Sequence, residues 1–195
     1  MPTFLEAMMD APTLPHKLWT REDCVALEKA GLVEAERYEL IEGELILKMG
    51  KNHPHVRALA ILARWLRGCF GDAPVVQESP IDLRAEDRLT SEPEPDISVL
   101  VRAVDDFSTH PRPNELCLVA EVSLTSLVFD LTTKARLYAR SGIVEYWVLD
   151  VAARRLIVHR EPLNGRYQSV VAFSEEERVA TLAAPERDVR VGDFL

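Results

Sequence analysis

The stretch ELCLVAEVSLTSLVFDLTTKARLYARSGIVEYWVLD, residues 115–150, decides the fold. Its first nine residues form a mostly apolar run of the kind a central strand shows. TTKARLYARS then reads as a helix, with Asp130 or Thr132 as the candidate N-cap and Gly142 as the C-terminal stop. VEYWVLDV reads as a second strand. A helix linking two strands suggests a parallel crossover, with both strands in one sheet and the helix on its face.

Working outward toward the N-terminus, PDISVLV (95–101) is a short buried strand. APVVQESPIDLR is a strand pair or one bent strand interrupted by Pro80, and AEDRLTSEPEP after it is a loop. From His55 to Phe70 the apolar positions Val56, Leu59, Leu62, Ala63, Leu66 and Cys69 recur at three- and four-residue steps, which predicts a helix. Arg57, Arg64 and Arg67 fall mainly outside that stripe. The order is helix (55–70), strand (74–84), strand (95–101), strand (116–122), helix (130–141), strand (144–150): an α/β chain with an αβββαβ core and a mixed central sheet flanked by helices.

Elements also flank this core. Thr20 and Asp23 form a capping box for a short helix over REDCVALEKA, stopped at Gly31. YELIEGELILKM is an N-terminal hairpin turning at Glu42-Gly43. RLIVHR and YQSVVAF are extra C-terminal strands. Residues 1–17 lack periodicity and are expected to form a flexible arm, leaving 18–195 as a single domain.

The composition is that of a soluble globular protein. No run approaches the ~18 apolar residues of a membrane span. The opening residues lack a basic start, an apolar stretch and a cleavage site, so a cytoplasmic location is expected. Cys24, Cys69 and Cys117 are odd in number, far apart and embedded in apolar segments, so neither a disulfide framework nor a CxxC clamp is indicated; they read as small buried thiols. A net charge of −9 weighs against nucleic-acid binding by overall attraction. An acidic metal cluster adds negative charge of its own, which a bound cation offsets.

Asp96 opens one strand and Glu121 closes the next, each where an apolar strand meets a polar segment. Two acids at strand ends can converge on one cation. Mg²⁺ keeps several waters and often takes only one or two protein carboxylates together with substrate phosphate oxygens.

The strings YELIEGEL, NHPHVRALAILARWL, VVQESPIDL, EPEPDISVL, LVAEVSLTS, DLTTKARLYARSGIVEYWVLD and RLIVHR resemble the Uma-type (Uma two) family of restriction endonucleases, over about residues 20–195. That family is similar to PD-(D/E)XK nucleases. The resemblance implies a restriction-endonuclease-like fold and a Mg²⁺-dependent endonuclease, with Mn²⁺ as a substitute ion, acting on nucleic acid and by preference DNA. It puts Asp96 at the acid of the PD element and Glu121 at the acid of the ExK element, both as metal ligands. Ser123 stands where the simple pattern has lysine, and the family's lysine falls on the following helix, at Lys134. Its charge, beside two acids, suits stabilising the transferring phosphate better than base catalysis.

A second tier surrounds these three. His55 starts the first core helix, where nucleases of this fold often offer an additional acid; Gln77, Glu39 and Glu44 are further polar candidates. Tyr138, one turn after Lys134, is placed to face the same site, much as the Q-x-x-x-Y element does in related nucleases. Glu145 is expected to face solvent by strand alternation and Asp150 to begin a turn, so both are set aside. Trp65, Trp147 and Tyr146 read as core or interface.

Bland alternatives are a solvated Lys134, or a structural Glu121–Lys134 salt bridge in a catalytically inactive nuclease fold that binds nucleic acid or protein. A homodimer pairing its apolar final strands across a two-fold axis is compatible with either reading.

Overall fold

The apolar runs of the sequence become the strands of one sheet. The computed structural model describes residues 16–195 apart from 49 and 51, so the expected arm lies outside the described residues up to residue 15. Helix α1 (Arg21–Lys29) starts at the Thr20–Asp23 capping box and ends before Gly31, whose φ is +68°. Strands β1 (Tyr38–Ile41) and β2 (Glu44–Leu47) form the hairpin, and Glu42 and Gly43 both take positive φ at its turn. Helix α2 (His53–Phe70) is capped by the Asn52 side chain on the His55 amide.

The main sheet follows. Strands β3 (Val75–Gln77), β4 (Ile97–Leu100), β5 (Leu116–Ser123), β6 (Glu145–Asp150), β7 (Arg155–Leu163) and β8 (Arg166–Ser174) lie side by side in chain order. All neighbours are antiparallel except β5 and β6, the pair joined by the helical crossover. This is the mixed, helix-flanked sheet that the αβββαβ order implies. β5 and β6 are buried on both faces because helices cover both. On one face Leu62 and Leu66 of α2 pack on Leu118, Ala120, Trp147 and Leu149. On the other, Leu137 and Tyr138 pack on Val119, Tyr146 and Val148.

Several expectations are corrected. The chain from 78 to 84 forms no ladder: Glu78 takes φ +51° and Pro80 follows, so the strand ends at Gln77. A single helical turn, α3 (Ala85–Arg88), interrupts the loop after it.

The crossover helix begins earlier than Asp130. Helix α4 covers residues 127–141 and consists of Leu127–Phe129, a π turn at Asp130–Lys134 and Ala135–Ser141, with helical φ and ψ at each junction. Asp130 and Thr132 are therefore interior residues, not caps; Thr132 instead bonds the Val128 carbonyl and Asp130 is buried. Gly142 does end the helix, at φ +84°. Beyond β8, a separate two-stranded hairpin of β9 (Arg178–Thr181) and β10 (Ala184–Arg190) extends the C-terminal strands.

Glu145 is buried rather than solvent-facing. It accepts from Arg160 and the Trp147 indole through one oxygen and from the Leu182 amide through the other, tying β6 to the β9–β10 hairpin. Asp150 does cap the turn after β6, on the Ala153 amide, although it too is buried. Trp147 and Tyr146 are core residues, and Trp65 stacks on Trp147. The three cysteines are unpaired but partly exposed, not buried.

Candidate active site

The β4–β5 register brings the two acids together. Ile97 pairs with Ala120, so the next rung sets Asp96 beside Glu121, and cross-strand neighbours project from the same face. That face is the one α4 covers. The Asp96 amide approaches Glu121 Oε2 at 3.4 Å, and the Val122 amide donates to Asp96 Oδ2 at 2.7 Å. His55, in the first turn of α2, places Nε2 3.4 Å from the same Asp96 oxygen.

Lys134 and Tyr138 arrive from α4, one turn apart and both buried. Lys134 Nζ is 2.9 Å from Glu121 Oε1, and the Tyr138 hydroxyl donates to that oxygen at 3.1 Å. The lysine also contacts Glu39 Oε1 of β1 at 3.0 Å. Glu39 Oε2 in turn accepts from the Glu94 amide at 3.3 Å, fastening the segment that carries Asp96. Of the sequence candidates, Asp96, Glu121, Lys134, His55, Tyr138 and Glu39 thus form one contact network.

Gln77 and Glu44 stay apart from it. Gln77 accepts from Arg67 at 2.7 Å in a different depression, and Glu44 is an exposed residue of β2.

Three participants were not among the sequence's site candidates. Asp130 is buried in the π turn with its carboxylate held by the Ser126 hydroxyl at 2.6 Å, and its spacing of four from Lys134 was the available signal. π turns recur at functional positions in helices. Glu94 and Lys48 pair at 2.6 Å; nothing in their local sequence marks them.

Together these groups line a cleft of about 490 Å³. Seven carboxylate residues line it against, among the described residues, two lysines and one histidine. Burial pushes the Glu121 carboxyl well above the ordinary range; Lys134 pulls it back, and Asp96, Asp130 and Glu39 push it up again. Asp130 is raised by burial too. Burial alone would depress Lys134, but Glu121, Glu39 and Asp130 outweigh it and hold the ammonium above its usual range.

Among the described residues no group of three or more His, Cys, Asp or Glu side chains is disposed to hold a metal unaided. Asp96 and Glu121 nonetheless suit a hard divalent cation. Both side chains line the same acidic cleft, Glu121 Oε2 lies 3.4 Å from the Asp96 amide, and Mg²⁺ needs only one or two carboxylates.

The Uma2 family profile, described as "Putative restriction endonuclease", matches residues 22–191. Among solved structures, the chain is similar to "a putative nuclease belonging to DUF820" from Anabaena variabilis ATCC 29413. The TM-score is 0.63 at 17% identity, covering 86% of this chain and 94% of that one. A comparison with curated proteins returns no match. No helix among the described residues is long and apolar enough to cross a membrane.

Proposed function

This chain belongs to the Uma2 restriction-endonuclease family, and we propose that it is a divalent-metal-dependent endonuclease that hydrolyses DNA phosphodiester bonds at the Asp96–Glu121 cleft. The observation that carries the reading is the meeting of Asp96, Glu121 and Lys134, distant in sequence, around one acidic cleft.

Asp96 and Glu121 would hold the ion, Mg²⁺ or Mn²⁺. When bound, the ion supplies Lewis acidity toward a phosphoryl oxygen and acidifies water for attack. The protein's own groups fix the ligands. The Val122 amide and His55 set the orientation of Asp96, while Lys134 and Tyr138 hold Glu121 Oε1 and leave Oε2 turned toward Asp96. Restrained carboxylates bind a small ion without paying for rotamer loss at each turnover. Lys134, engaged by Glu121 and Glu39, acts first as the positioning cation of the site.

The test is cleavage of supercoiled plasmid and single-stranded DNA with Mg²⁺ or Mn²⁺. Cleavage by the wild type, lost on chelation and in Glu121→Gln, is expected. No cleavage of either substrate with either ion overturns the reading. It leaves the inactive binding module, which Ser123 at the ExK lysine position favours.

A further inference from the structure

The cleft poses a charge problem for its own substrate. Among the described residues seven carboxylates line it against two lysines and one histidine, and one bound divalent ion offsets only part of the acid excess, so an incoming phosphodiester needs a cation on the open side. Lys134 does not supply one: its amine lies at the floor, about 6% exposed, between Glu121 and Glu39. We infer that Lys48, at the end of β2, is the residue that contacts the substrate phosphate. The inference rests on the nuclease reading of the same cleft.

Three observations support it. Lys48 is, among the described residues, the other lysine lining the cleft, and its side chain is 28% exposed, enough to meet a ligand without leaving the rim. Its backbone is fixed, because the Lys48 amide bonds the Arg37 carbonyl and prolongs the hairpin ladder by one rung. Its amine is held 2.6 Å from Glu94, two residues before Asp96, so it waits beside the metal-binding acid. Both partners of this pair keep contact with water, at 28% and 23% exposure, so Glu94 can be re-solvated when the amine turns to another anion. Exchange of Glu94 for a phosphate oxygen therefore costs little, while the amine's position is kept. Before substrate arrives, Glu94 spares the rim an unpaired cation.

The experiment measures binding of a fluorescein-labelled 20-base-pair DNA duplex to the full chain in Ca²⁺ across a salt series, for wild type, Lys48→Met and Lys48→Arg. Calorimetric Mn²⁺ titration and a thermal melt of each variant separate substrate contact from damage to the fold or the metal site. The expected result is a log–log salt slope shallower by about 1 in Lys48→Met, restored in Lys48→Arg, with Mn²⁺ binding and melting as in wild type. A wild-type slope in Lys48→Met overturns this inference alone, as does a reduced slope accompanied by lost Mn²⁺ binding or a collapsed melt. Absence of duplex binding by the wild-type chain overturns the nuclease reading and this inference with it.

Discussion

Replacing Lys134 by Met isolates what the buried amine does. The substitution keeps a long unbranched side chain but removes the charge, leaving Glu121 and Glu39, both under a tenth exposed, without their shared cation. Breaking a buried pair by removing one partner costs about 3–5 kcal/mol, since the remaining charge stays desolvated. In a chain of this length that is a fall of roughly 6–20 °C in melting temperature.

The cost depends on pH in a defined direction. Burial already raises the Glu121 carboxyl in the folded state, and losing Lys134 raises it further. A carboxyl raised on folding binds its proton more readily folded than unfolded, so stability falls as pH rises through the gap between the two values. The Lys134→Met deficit is therefore largest near pH 7.5 and shrinks toward pH 5. Adding Glu39→Gln recovers part of it by removing one stranded charge. The assay is calorimetric or circular-dichroism melting at both pH values without metal. A loss under about 1 kcal/mol, as for an exposed lysine, with no pH dependence refutes the argument.

Other consequences are independent of the cleft. His159 is buried against Tyr146 and Tyr167, and burial lowers its pKa. The unfolded chain then binds the extra proton, so His159 stability is present above about pH 6.5 and lost as pH falls below it; His159→Phe flattens the melting profile between pH 7.5 and 5.5, and an unchanged profile contradicts this. Glu145→Ala leaves the Leu182 amide and the Trp147 indole without their acceptor and Arg160 with only the Ala180 carbonyl, and about 3 kcal/mol is expected in urea unfolding; a change near zero contradicts the tie between β6 and the β9–β10 hairpin. Gly142→Ala forces an alanine into φ +84° with its Cβ 2.5 Å from the Arg84 guanidinium, costing about 1–2 kcal/mol, and a neutral effect contradicts the αL stop.

The core order was legible because its apolar patterns are strong and local: α2 shows a one-sided apolar stripe and β5 and β6 mostly apolar runs, each visible in a single window of sequence. What escaped depends on distant partners. Glu145 looks solvent-facing until Arg160 arrives from β7 and Leu182 from the β9–β10 turn. The start of α4 was hidden because LTSLVFD carries neither a Pro nor a Gly, and Asp130 resembles a cap wherever its partners are unknown. Residues 78–84 keep strand-like composition, yet one left-handed residue ends the ladder.

The site divides in the same way. The convergence of Asp96, Glu121 and Lys134 was readable from motif order, and that of Tyr138 from its helical spacing to Lys134. Glu94 and Lys48 were not, because only the folded hairpin brings them to the cleft. Gln77 lies apart from the network because Arg67, ten residues earlier on α2, holds its side chain.

The central claim is that Asp96 and Glu121 share one divalent ion. Calorimetric titration of Mn²⁺ into the metal-free wild type, Asp96→Asn and Glu121→Gln tests it most directly. One equivalent bound by the wild type and none by either folded variant is the predicted result, whereas wild-type binding by Asp96→Asn contradicts the account.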